Sequence, residues 1–160
     1  MVKECCVTGH RVLLTKQIDY VKRELRKQIQ NAINDGYTHF ISGMAEGTDL
    51  LFAELVIETK KDNPTIRLEA ALPYRKRAET KNNDFHRIFE QCDSFIVLSE
   101  NYSNACYKAR NKYMVNQAER IIAVYDGRNS GGTAFTIQYA KDNGKELFIV
   151  PVDSLEAGIC

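Results

Sequence analysis

The chain has 160 residues, enough for one domain with a substantial core, and an ordinary apolar share of 44%. Its formal net charge of +1 speaks against a protein whose main task is to grip DNA or RNA, because that affinity comes from clustered Lys and Arg. No apolar run is long enough to span a bilayer. The odd set Cys5, Cys6, Cys92, Cys106 and Cys160 contains no Cys-x-x-Cys and gives no disulfide framework; His10, His39 and His86 show no zinc-ligand spacing with it.

Met1-Val2-Lys3-Glu4 runs straight into an apolar segment, so we expect no signal peptide and a cytoplasmic location. Cys5 to Thr8, ended by Gly9, reads as the first strand. A long helix follows over about Thr15 to Asp35. Ile18, Val21, Leu25, Ile29, Ala32 and Ile33 fall on one face, Thr15 is placed to cap it and Gly36 to stop it. His39 to Ser42 is the second strand. The next helix, about Thr48 to Lys60, is apolar nearly all round from Leu50 to Ile57 and ends before Asn63-Pro64. That apolar centre, around Leu51 and Phe52, suits a monomer core or a homo-oligomer contact equally.

Ile66 to Leu72 is the third strand, ended by Pro73, and Lys81 to Cys92 reads as a helix. Phe95 to Leu98 is the fourth strand, Asn104 to Ala118 a helix, Ile121 to Tyr125 the fifth strand. Thr133 to Asn143 is a helix stopped by Gly144, and Leu147 to Val150 is the sixth strand. Strands alternate with helices and are continuous apolar runs. That pattern predicts an α/β, Rossmann-like three-layer sandwich with a mostly parallel sheet of about six strands. No linker divides it, so 1–160 reads as a single domain.

In such sheets ligands bind beyond the carboxyl ends of the strands. Two glycine-rich turns fall there: Ser42-Gly43-Met44-Ala45-Glu46-Gly47-Thr48-Asp49 and Asp126-Gly127-Arg128-Asn129-Ser130-Gly131-Gly132-Thr133. Each opens a helix, and a helix N-terminus with free N–H groups is a seat for an anion. Thr8-Gly9-His10-Arg11 adds a cation at the same edge. The three together predict a site for a nucleotide or nucleotide-derived ligand, with phosphates on the 43–48 and 131–133 turns. Neither turn is followed by Gly-Lys-Ser/Thr and neither is Gly-x-Gly-x-x-Gly, which removes the main support for a kinase or an ordinary dehydrogenase.

Individual residues carry alternative readings. Asp49 favours the helix dipole and would repel phosphate, so as a functional group it suits a ribose hydroxyl or water. Glu46 is either a helper or simply exposed. His10 is a ligand contact or a satisfied hydrogen-bonder; Arg11 supplies charge to a ligand or lies on the surface. Arg110 is placed to reach a phosphate and Asn111 a base or ribose, against an ordinary polar helix flank. Tyr74 in Pro73-Tyr74-Arg75 stacks on a base or covers the core edge. The basic stretches from Arg67 to Arg87 and from Lys108 to Lys112 read first as solvated faces and second as an anion-attracting rim to the pocket. Asp84 and His86 are two apart, so they share no helix face and receive no catalytic role.

Those motifs, with Arg110-Asn111-Lys112-Tyr113-Met114-Val115, resemble the SLOG superfamily over essentially the whole chain. Within it the chain is similar to the YpsA-like branch, related to the DNA-processing protein A fold and to the Lonely Guy enzymes. The resemblance implies a Rossmann-like domain that recognises nucleotides or their derivatives, such as AMP, NAD or ADP-ribose, often as a sensor. It also implies an alternative. Lonely Guy enzymes cleave nucleoside monophosphates and carry Pro-Gly-Gly-x-Gly-Thr-x-x-Glu. Here Gly132-Thr133 matches the Gly-Thr, while Thr136 stands where the glutamate belongs. A threonine cannot replace a carboxylate beside an oxocarbenium-like transition state. Binding is therefore preferred over an N-glycosidase built on Asp49 or Glu46, and single-stranded DNA handling ranks third. No motif requires a metal or resident cofactor, though magnesium can accompany a phosphate.

Overall fold

The structure is a computed structural model that describes residues 2–154. Cys160 lies outside the described residues. Six strands, β1 (Lys3–Gly9), β2 (Tyr37–Ser42), β3 (Arg67–Leu72), β4 (Ser94–Val97), β5 (Arg120–Tyr125) and β6 (Glu146–Pro151), form one sheet in the order β4-β3-β2-β1-β5-β6. Every pairing is parallel.

Five α-helices connect them: α1 (Ile18–Asn34), α2 (Thr48–Asp62), α3 (Asn83–Phe89), α4 (Cys106–Gln117) and α5 (Gly132–Asp142). Side chains alternate across each strand, so β1 sends Cys5 and Val7 to one face and Cys6 to the other. The first face packs against α1, α2 and α3 in a core containing Leu25, Phe40, Phe52, Leu68 and Phe85; the second packs Ile41, Ala71 and Ile121 against Met114 and Val115 of α4 and Ala140 of α5. This is the expected three-layer sandwich. The apolar α2 is covered by its own chain: Leu50, Phe52, Ala53, Leu55 and Val56 are buried, and Leu51 packs partly on the core. Burying a side chain such as Phe52 contributes about 1.5–3 kcal/mol.

The local differences have physical reasons. Thr15 does not cap α1. It begins a 3-10 turn (Thr15–Gln17), and Gln17 precedes the helix without a capping side-chain bond. Gly36 does stop α1, at φ +94°. The segment after β3 is broken. Arg75–Glu79 forms a 3-10 turn, and α3 begins only at Asn83, where Asn82 accepts the Phe85 N–H at 3.0 Å. The basic stretch around it makes local ion pairs, Arg75 with Glu100 and Arg87 with Glu54 and Asp84.

Candidate functional site

The strand order reverses direction between β1 and β5, and a cavity of about 510 Å³ opens beyond their carboxyl ends. A sheet's switch point leaves such a crevice because the adjacent connections run to opposite faces. Its wall takes residues from the predicted motifs: Thr8 to Arg11 at the end of β1, Ala45 before α2 and Asp49 in its first turn, Arg110 and Asn111 on α4, and Gly132 and Thr133 opening α5.

The turn between β2 and α2 is closed on itself. Ser42 Oγ accepts the Met44 N–H (3.1 Å) and donates to the Asp49 carbonyl (2.8 Å); Asp49 Oδ2 accepts the Ala45 N–H (3.2 Å). Thr48 donates both its N–H (3.2 Å) and its hydroxyl (2.9 Å) to the His10 carbonyl, so it fastens the β1 turn instead of capping its own helix. Leu50 N–H goes to Ala45 O. The amides of the 43–48 turn expected to hold phosphate are in large part engaged by the protein. Ser42, Gly43, Met44 and Thr48 are buried, and the cavity wall does not include them. Met44 is the one non-glycine residue with positive φ (+61°) among the described residues, a strain of the kind held only where surroundings over-determine the backbone.

Arg110 is buried, 4% exposed, and serves the fold. Its Nη1 donates to the carbonyls of Gly43 and Ala71, the latter at 3.3 Å, and its Nε donates to Asn111 Oδ1 at 2.9 Å. A methyl group on Gly43 would fall under 3.0 Å from both Arg110 and Asp49, so these two charges flank the same glycine. Burial pulls the Arg110 pKa down, with Asp49 opposing; burial pushes the Asp49 carboxyl up, with Arg110 and the Ala45 N–H opposing. Arg110 thus does not belong to a solvated face; it lines the cavity while tied to the ends of β2 and β3.

The other turn is open. Gly131 precedes α5 at φ +100°, and a methyl group there would meet nothing within 4 Å. The first N–H groups of α5 have no partner within the helix. Thr133 (7% exposed) and Thr8 (8% exposed) line the cavity, and neither hydroxyl has a hydrogen-bond partner among the described residues. Because Arg110 holds the oxygen of Asn111, the Asn111 amide nitrogen is left as a donor; it lies 3.9 Å from the position a Gly132 methyl would take. Lys108 and Arg11 add charge on the same wall. This end of the cavity is rich in donors and suits an oxyanion.

His10 is buried. Its Nε2 accepts the Asp126 N–H at 3.1 Å, and burial lowers its pKa more than the nearby Asp126 carboxylate raises it. That carboxylate, 3.2 Å from Nε2, is engaged by the Arg128 side chain and N–H, chiefly the side chain, which hold its pKa down at about 2. A histidine that resists protonation when folded makes the unfolded chain bind more protons below its ordinary pKa of about 6.5, so stability rises with pH across that window. We expect a lower urea midpoint at about pH 5.5 than at about pH 7.5, and a smaller difference in His10→Gln.

Of the remaining expected residues, Pro73 is buried, and Tyr74 and Glu46 line a neighbouring cavity. Asp126 acts through His10 and Arg128, and Gly47 packs on the β1 turn. Thr136 Oγ1 donates to Gly132 O at 2.8 Å, inside its own helix. Sequence reading missed Tyr107 as a wall residue and placed Lys108 at the pocket rim only as its second reading. Tyr107 stands three positions before Arg110 and Lys108 three before Asn111, one helical turn away, which is the signal that places them on this wall.

The sequence pattern of the YspA SLOG family matches residues 5–155. The chain belongs to this family. Among its SLOG relatives, a UPF0398 protein of Bacillus pumilus is 25% identical over 173 residues, covering 99% of this chain and 92% of that protein. A UPF0398 protein of Halalkalibacterium halodurans is 26% identical over 130 residues, covering 78% and 69%. The SLOG fold is shared with the molybdenum cofactor carrier protein of Chlamydomonas reinhardtii, at TM-score 0.61 and 17% identity, covering 98% of this chain and 81% of that one. No helix among the described residues is long and apolar enough to cross a membrane.

Proposed function

We propose that this chain is a binding or sensor domain for a nucleotide or nucleotide-derived ligand of the AMP, NAD or ADP-ribose type, with a phosphate at the start of α5. One observation carries the reading: the hydroxyls of Thr8 and Thr133, side chains otherwise buried, open into the switch-point cavity with no hydrogen-bond partner among the described residues, beside the open N-terminus of α5. Both hydroxyls are open to the cavity as donors, and a bound oxyanion would accept from them. Arg11 and Lys108 supply charge, and Asp49 suits a ribose hydroxyl. The fold neighbour's role as a carrier of the molybdenum cofactor supports a small molecule over a macromolecule as ligand. The cytoplasm is the proposed location, since Cys5 and Cys6 are buried free thiols.

The test is a thermal-shift and calorimetric series with AMP, NAD and ADP-ribose. A ligand at a hundred times its Kd stabilises the fold by about 2.7 kcal/mol. Absence of any shift at millimolar concentration overturns the reading. Thr133→Val, which keeps the shape and removes the hydroxyl, should weaken binding by about tenfold or more while leaving the ligand-free Tm nearly unchanged. Asp49, on the cavity wall with a raised pKa, favours the N-glycosidase as the second reading. Free base released from AMP by the wild type and not by Asp49→Asn would establish it.

A further inference from the structure

A second cavity of about 490 Å³ adjoins the first, and Arg11, Ala45 and Tyr107 line both. The two are therefore lobes of one groove along the crest of the sheet. Each lobe lies within the range of ordinary small-molecule sites, so a mononucleotide phosphate and sugar would fill only part of the whole.

The lobes differ in charge. Beyond the shared Arg11, the first is lined by Lys108 and by two further guanidinium groups that already face carboxylates, Arg110 beside Asp49 and Arg128 on Asp126. In the second, Lys76 and Arg77 are matched by Glu46 and Glu79. The first lobe is cationic and carries the unpartnered donors. The second is charge-balanced, and it adds an aromatic ring that the first does not have, Tyr74. Tyr74 is half-buried and held by edge-type contacts with Tyr102 (5.5 Å between centroids) and Tyr107 (6.3 Å). The Tyr107 ring is already engaged by two guanidinium groups, Arg11 at 4.9 Å and Arg110 at 5.6 Å. Tyr74 is thus the ring of the groove with no cation on it among the described contacts.

We propose that the ligand lies along this groove in a fixed direction, its phosphate at α5 and Thr133 and a flat heterocycle in the second lobe against Tyr74, with Arg11 over the join. The proposal rests on the phosphate-binding reading above and adds to it the seat and orientation of the heterocycle. Stacking on an aromatic side chain is tolerant of base identity, so the seat recognises a nucleobase or similar ring as a class.

The experiment compares ribose 5-phosphate, AMP and ADP-ribose by calorimetry on the full chain. Wild type should bind AMP and ADP-ribose about tenfold or more tightly than ribose 5-phosphate. Tyr74→Ala should erase that advantage and leave ribose 5-phosphate binding unchanged. Lys108→Ala, in the first lobe, should weaken all three alike. If Tyr74→Ala lowers the Tm, Tyr74→Leu decides, since it keeps bulk against Tyr102 and removes the π-face. Equal binding of ribose 5-phosphate and AMP by wild type, or an advantage that survives both Tyr74 variants, overturns the heterocycle seat and leaves the phosphate site standing. Failure of all three ligands to bind overturns both.

Discussion

Arg110→Ala should lower the unfolding free energy by about 3–5 kcal/mol, read from urea denaturation. The guanidinium is buried between the ends of β2 and β3 and holds the carbonyls of Gly43 and Ala71. Truncation leaves those oxygens without the guanidinium donor and leaves Asp49 buried without the cation that most favours its charged form. It also frees the Asn111 oxygen, so the side-chain amide of Asn111 can turn. Ligand binding should therefore weaken even where the variant is folded. Arg110→Lys should recover little, because an ammonium cannot meet two carbonyls and an amide oxygen from one fixed plane. Full stability in Arg110→Ala would show that the guanidinium is not a strut.

Gly47→Ala should cost about 3 kcal/mol or more. Gly47 sits at φ +78° and ψ −122°, a backbone region that side chains rarely enter. A methyl group there would fall under 3.0 Å from the carbonyls of both His10 and Arg11. Those are backbone atoms, and the His10 carbonyl is fixed by the two Thr48 hydrogen bonds. Neither neighbour can move without opening the contact between the β1 turn and α2. Gly131→Ala is the control. It has a similar positive φ but open space around it, so it should carry only the conformational strain, about 1–3 kcal/mol. Equal losses in the two variants would show that crowding at Gly47 adds nothing.

The sheet was legible because each strand is a short apolar run with a helix between it and the next, and because Gly36 and Gly144 fall where helices must stop. The edge on which the motifs gather followed from the same order. Hydrogen-bond traffic among those motifs was not legible. A Ser-Gly-x-x-x-Gly-Thr turn can present its amides to a ligand or close them on Ser42, Asp49 and a carbonyl from another turn. The choice depends on the approach of β1, 38 residues away in the case of Thr48 and His10. Arg110 misled for a related reason. The apolar residues of α4 do not gather on one face, so periodicity does not mark its buried side, and an arginine there looks solvated until β2 and β3 are placed against it. The break into a 3-10 turn at Arg75–Glu79 leaves no periodic trace over so few residues.

The pairing of Thr48 with the His10 carbonyl has a mechanical consequence. It welds the segment after β1 to the head of α2, so one bank of the groove is rigid. The opposite bank, from Gly127 to Gly132, is exposed and contains two glycines with positive φ, Gly127 and Gly131. In the first lobe, adjustment to cargo of different girth is therefore expected from that side, as in a vice with one fixed jaw.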